Sequence, residues 1–139
     1  RDQKVSCTVI FPRTKDEIRI TWKDDARQRV KAIYISEAGS GWYTRQGLGV
    51  GIDLLSLIKA NQAPIEFYGF GWEYGGTVET WKNGSLQRLS KYFYVRLLPD
   101  KRTPEDKINP FKGNKLFTSN DPGVEDLGLY VQRVVVYLD

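Results

Sequence analysis

The chain contains no histidine and only one cysteine among its 139 residues. Without histidine it lacks the side chain that titrates near neutral pH, the commonest metal ligand and the base of ordinary Ser-His-Asp triads. A single cysteine, Cys7, excludes an internal disulfide and a cysteine-built zinc cluster. No cofactor or metal is therefore expected, and an enzyme is the less expected class. Methionine is absent as well, so Arg1 does not read as a translation start. No apolar run approaches about 18 residues, so no segment reads as a membrane-spanning helix. What is present is ordinary globular material, with 40% hydrophobic residues and 13 glycines. The length fits one domain, residues 1–139, able to bury a sizeable core.

Charge is unevenly spread along the chain. Residues 82–115 hold nine basic and three acidic side chains, whereas residues 116–139 hold one basic and four acidic. A basic segment of this kind usually forms a solvated face, and no phosphate-cradling loop or RNA-recognition signature accompanies it. Nucleic acid is not expected as a partner.

The stretch 47–76, GLGVGIDLLSLIKANQAPIEFYGFGWEYGG, organises the rest. Asp53 stands where an N-cap belongs, and Leu54, Leu57 and Ile58 follow at helical spacing, with Leu55 widening the apolar face. Asn61 can take the left-handed conformation that ends a helix, and Pro64 forbids continuation. The helix has roughly two and a half turns, too short to stand alone in water, so it must lie on a sheet. Residues 65–74 read as a strand, with Glu66, Tyr68, Phe70, Trp72 and Tyr74 on one face and Ile65, Phe67, Gly69, Gly71 and Glu73 on the other. Glycine inside a strand marks a bulge or close approach, so a helix or a neighbouring ring is expected against Gly69 and Gly71. Gly75-Gly76 reads as a hairpin turn, with residues 77–82 returning as the partner strand.

These residues resemble an uncharacterised family of secreted or lipid-anchored proteins from Gram-negative bacteria. The match runs through Gly51, Leu54, Leu57, Asn61 and Pro64, then Gly69, Phe70, Gly71, Trp72, Tyr74, Gly75 and Gly76, the last group forming a Gly-Phe-Gly-Trp-Asp/Glu-Tyr-Gly-Gly motif. Ile52, Gln62, Ile65 and Glu73 depart from the family pattern. The resemblance is specific over residues 47–76 and diffuse elsewhere. It implies a fold and a compartment (periplasmic, anchored to the outer membrane, or secreted) but no activity. A leader removed before Arg1 accords with it. A weaker likeness, to the beta-lactamase-inhibitor-protein and small outer-membrane-assembly lipoprotein fold group, implies binding to other proteins.

Elsewhere strands alternate with turns. Residues 7–11 and 18–22 should form a hairpin, and residues 30–36 a third strand beside it. The setting of Cys7 reads as an inward strand position, that of a small buried hydrophobe. Residues 38–41 and Asn83-Gly84 are turns. Residues 92–98 place Phe93, Val95 and Leu97 on one face and Tyr92, Tyr94 and Arg96 on the other. Residues 99–122, rich in proline, read as a long loop with one helical turn near 104–107. Residues 129–138 make a last strand whose Val134-Val135-Val136 run points to burial on both faces and an interior position. The fold expected is α+β, a mainly antiparallel sheet of about six to eight strands with one short principal helix across it.

Six residues are candidates for binding a ligand or partner: Trp42, Tyr68, Trp72, Glu73, Tyr74 and Trp81. Flat rings beside flexible glycines suit a sugar or a protein surface, although Phe70, Trp72 and Trp81 read more readily as core residues stacked over glycines under the helix. Glu73 reads as an acceptor for the Gly75 and Gly76 amides. The expected role is a non-catalytic module that binds a protein or envelope component. The alternative is a carbohydrate-binding or carbohydrate-cleaving domain using the aromatic hairpin and Glu73. It requires Trp72, Tyr74 and Trp81 to be exposed beside Glu73 in a groove.

Overall fold

The computed structural model describes residues 6–138. The first three strands, β1 (Cys7–Ile10), β2 (Ile18–Trp22) and β3 (Val30–Ile35), form the expected antiparallel meander. In β2 the buried Ile18 and Ile20 alternate with the exposed Arg19, the period-two signal of a half-buried strand. Helix α1 (Leu54–Asn61) and the short strands β4 (Glu66–Tyr68) and β5 (Val78–Thr80) follow. Then come β6 (Phe93–Leu98), the single-turn helix α2 (Glu105–Ile108), β7 (Leu116–Thr118) and β8 (Tyr130–Tyr137).

The fold is α+β, and its eight antiparallel strands divide into two sheets, ordered β1-β2-β3-β8-β6 and β5-β4-β7. Strand β8 pairs with β3 on one side and β6 on the other, the interior place that its valine run indicates. Val134 and Val135, which point to opposite faces, are both buried. The sheets meet edge to edge, where the Leu97 amide donates to the Gly76 carbonyl (2.8 Å) and Thr77 bridges Arg96. Their shared core joins Phe93, Val95 and Leu97 of β6 to Leu57 of α1 and Phe67 of β4. Each such side chain contributes about 1.5–3 kcal/mol when fully buried.

Helix α1 starts as its sequence indicates. Asp53 is extended (φ −79°, ψ 170°), and its Oδ1 accepts from the Ser56 amide at 2.8 Å. Its end differs from expectation. Gln62, not Asn61, takes the left-handed conformation (φ 59°), and Asn61 remains helical with its side chain fully buried. Its Nδ2 donates to the carbonyls of Trp81 (2.9 Å) and Ala63 (3.1 Å), while its Oδ1 accepts from the Leu86 amide (3.0 Å). Asn61 thus pairs the Leu86 amide, which would otherwise be buried unmet, and adds a second donor to the Trp81 carbonyl beside the Gly84 amide (2.9 Å), a larger gain than closing the helix itself. Gly84 lies where any Cβ would meet the Asn61 carbonyl and side-chain amide, so this glycine serves close approach as well as the turn.

The strand expected over 65–74 shortens to three residues. Gly71 adopts φ 92°, which breaks the extended run, and only Phe70 continues it, through an isolated parallel bridge to Lys112. The two-glycine hairpin is replaced by a wider turn in which the Gly75 amide donates to the Trp72 carbonyl (3.0 Å) and the Thr77 amide to the Tyr74 carbonyl (3.1 Å). Something does lie against Gly69: the carbonyls of Phe111 and Gly113 and the Phe117 ring. The expected long loop holds α2 near its anticipated place, but also β7, which pairs with β4. Cys7 is another correction. It is exposed, because β1 is an edge strand covered by β2 alone.

Candidate functional site

Strand alternation that sends Phe93, Val95 and Leu97 inward necessarily sends Tyr94 and Arg96 to the opposite face of β6. On β8 the same face carries Arg133, Val135 and Tyr137, and the register sets Tyr94 opposite Val135 and Arg96 opposite Arg133. The 72–77 turn rises beside this face, because Thr77 bridges Arg96. Together Glu73, Tyr74, Thr77, Tyr94, Arg96, Arg133 and Tyr137 line a cleft of about 360 Å³, at the small end of the range for ligand sites.

The turn that forms one wall is held by its aromatic rings. The Trp72 indole Nε1 donates to the Gly69 carbonyl at 2.8 Å. Its ring meets Tyr68 and Tyr74 edge-on, each with centroids 5.5 Å apart, an arrangement aromatic quadrupoles favour. Trp72 and Tyr68 are half-buried by this packing, and Tyr74 is left 56% exposed. Burial and the neighbouring Glu79 carboxylate push the Tyr68 hydroxyl pKa up. Glu73 is exposed and lines the cleft. The amides expected to bind it are engaged elsewhere, Gly75 with Trp72 and Gly76 with the Tyr68 carbonyl (2.8 Å).

The floor of the cleft is electrostatically uneven. Arg96 Nε donates to the Gly75 carbonyl at 3.0 Å, which ties the guanidinium to the turn. Arg133 has its Nε buried without an acceptor. Among the described residues neither arginine belongs to an ion pair. Tyr94 and Tyr137 stack with centroids 5.8 Å apart at 28°. Burial, with Tyr94 and Tyr34 nearby, raises the Tyr137 pKa against the opposing pull of Arg133, so the phenol stays a hydrogen-bond donor at neutral pH.

The structure therefore brings Tyr68, Trp72, Glu73 and Tyr74 together and separates the other two candidates. Trp81 is 2% exposed and lies edge-on to Phe93 in the core (5.9 Å), which corrects its placement among accessible rings. Trp42 is 42% exposed on the loop after β3, on the opposite face of the sheet, its Nε1 donating to the Asp16 carbonyl (2.8 Å). It borders a separate apolar pocket of about 270 Å³ with Tyr43, Leu48 and the isoleucines of β2 and β3. Arg96, Arg133, Tyr94 and Tyr137 are site residues that the motif-centred reading missed. The outward face of β6 was visible in the sequence. On β8 the valine run masks the Arg133–Tyr137 alternation of the same strand. No group of three or more acidic, cysteine or histidine residues gathers as a metal site among the described residues.

Compared with protein-family models, curated proteins and solved structures, the chain finds no match.

Proposed function

We propose that the protein is a non-catalytic binding module of a bacterial envelope, periplasmic, anchored at the outer membrane or secreted, which holds a protein or envelope component in the cleft beside the 72–77 turn. No helix among the described residues is long and apolar enough to cross a membrane, which is compatible with that setting. The observation that carries the reading is Tyr74. Three rings and an indole hydrogen bond are spent on holding a turn whose outermost aromatic is exposed at the mouth of the cleft. A large ring held rigid and half in water is the kind of anchor that binding surfaces use.

The alternative, a carbohydrate-directed domain, gains from Glu73 and Tyr74 lining the same cleft. Its cleaving form is disfavoured. Glycoside hydrolysis generally uses two carboxylates, and among the described residues Glu73 is the one carboxylate in this lining. Glu66 pairs with Lys82 at 3.3 Å, and Glu79 lies beside Tyr68.

The test is photo-crosslinking with a benzophenone side chain placed at position 74, in a Gram-negative envelope fraction, against the same group at the exposed Ser56 of α1. An adduct formed from position 74 and not from position 56 supports the cleft. Equal labelling from both positions, or none from 74, defeats it.

A further inference from the structure

The charge arrangement of the cleft identifies a ligand class, resting on the reading of the cleft as the binding site. Arg96 and Arg133 are direct cross-strand partners, and like charges placed opposite one another in a sheet repel. Folded proteins usually offset such a pair with a carboxylate, yet no ion pair among the described residues includes either arginine. The Arg133 Nε is also desolvated with nothing to accept its proton, and an unmet buried donor costs stability. Such local disagreements, set in an otherwise consistent sheet, are found where function requires them.

The missing partner is thus an acceptor with negative charge, entering from the open side of the sheet. Arg96 is held ready for it, because its Nε is fixed by the Gly75 carbonyl and its two terminal nitrogens remain to grip a planar or tetrahedral anion. Glu73 decides what else the ligand carries. A carboxylate in the lining repels a bare anion but accepts hydrogen bonds from hydroxyl groups, and Tyr74 beside it offers a face for the apolar side of a sugar ring. The volume, about 360 Å³, suits one or two sugar rings rather than a long polymer.

We propose that the cleft binds an acidic saccharide, its carboxylate or phosphate held between Arg96 and Arg133, its hydroxyls on Glu73 and its ring against Tyr74. Carboxylate and phosphate share this chemistry, and separate probes distinguish them.

The experiment is calorimetric titration of the intact protein with a glucuronate-containing disaccharide, glucose 6-phosphate, neutral maltose and inorganic phosphate, at low and physiological salt. At least one acidic sugar is expected to bind tenfold or more tightly than maltose and than inorganic phosphate, with affinity falling as salt rises. Arg133→Met and Arg96→Gln should each weaken that binding about tenfold. Arg133→Met should also raise the melting temperature of the ligand-free protein, which a merely structural arginine would not do. Should Arg133→Met fail to fold, the structural role wins for that residue, and Arg96→Gln and Arg133→Lys carry the binding test. Equal affinity for maltose and the acidic sugars overturns the anion and leaves the cleft standing. So does the absence of binding to every probe while the position-74 crosslink still forms. Absence of both removes the cleft as well.

Discussion

Replacing Asn61 by alanine should be among the most damaging single changes outside the large apolar side chains. The side chain is fully buried and joins the end of α1 to two later segments, through Trp81 (2.9 Å) and Leu86 (3.0 Å). Alanine leaves the buried Leu86 amide unmet, at about 1–3 kcal/mol, and takes from the Trp81 carbonyl one of its two donors, at about 0.5–1.5 kcal/mol, the Gly84 amide (2.9 Å) remaining. A loss of about 3 kcal/mol is expected, against about 5–15 kcal/mol for a whole domain. In thermal terms that is a fall of roughly 10 °C for a chain of this size. Urea unfolding followed by tryptophan fluorescence and circular dichroism measures it, with an unchanged slope showing that the two-state comparison holds. Gly84→Ala should act on the same contact from the other side, since its Cβ meets the Asn61 carbonyl and amide. The double mutant should therefore lose less than the two single losses combined. A cost under about 1 kcal/mol for Asn61→Ala, below the range for one unmet group, would show that the buried bonds do not tie helix to sheet as described.

Two further outcomes follow from the described geometry. Asp53→Ala should destabilise by about 1 kcal/mol through loss of the α1 cap. The Ser56 amide and hydroxyl hold the Asp53 pKa below its ordinary value. This contribution is therefore present above about pH 4 and disappears as pH falls through the lowered folded pKa. The gap between the melting curves of wild type and variant should narrow as the pH falls, and a gap that does not narrow in acid would contradict the charged cap. Cys7 should react stoichiometrically with an Ellman-type thiol reagent in the native state, because it is exposed on an edge strand. A requirement for denaturant would restore the buried reading.

Legibility in the sequence followed the length of each signal. The β1-β2-β3 meander and the inward face of β6 rest on several alternating residues, the interior place of β8 on an unbroken run of three valines, and each is readable. Strand β7 has three residues in a proline-rich segment, too few for any period to show. The shortening of β4 was hidden for a different reason. Gly69 and Gly71 allow an extended run as readily as a turn, and tertiary contacts from 111–117 made the choice. For Asn61 the sequence signals only a local property, the left-handed bend, whereas its burial against Trp81 and Leu86 depends on segments 20 and 25 residues away. The cleft was half legible. Glu73 and Tyr74 stood out inside the motif. Arg96 and Arg133 become a site only through a strand register that no single segment contains.

The central claim is that the 72–77 turn and the outer face of β6 and β8 form one binding surface. Its most direct measurement is a chemical-shift map of the isotopically labelled protein titrated with the acidic disaccharide and with solubilised envelope glycans. The shifts are expected to centre on residues 73–77, 94–96 and 133–137 and to vanish in Tyr74→Ala. Shifts centred instead on Trp42 and the loop to Leu48, with 73–77 unmoved, would contradict it and place recognition on the opposite face of the sheet, where Val134 and Val136 line the other pocket.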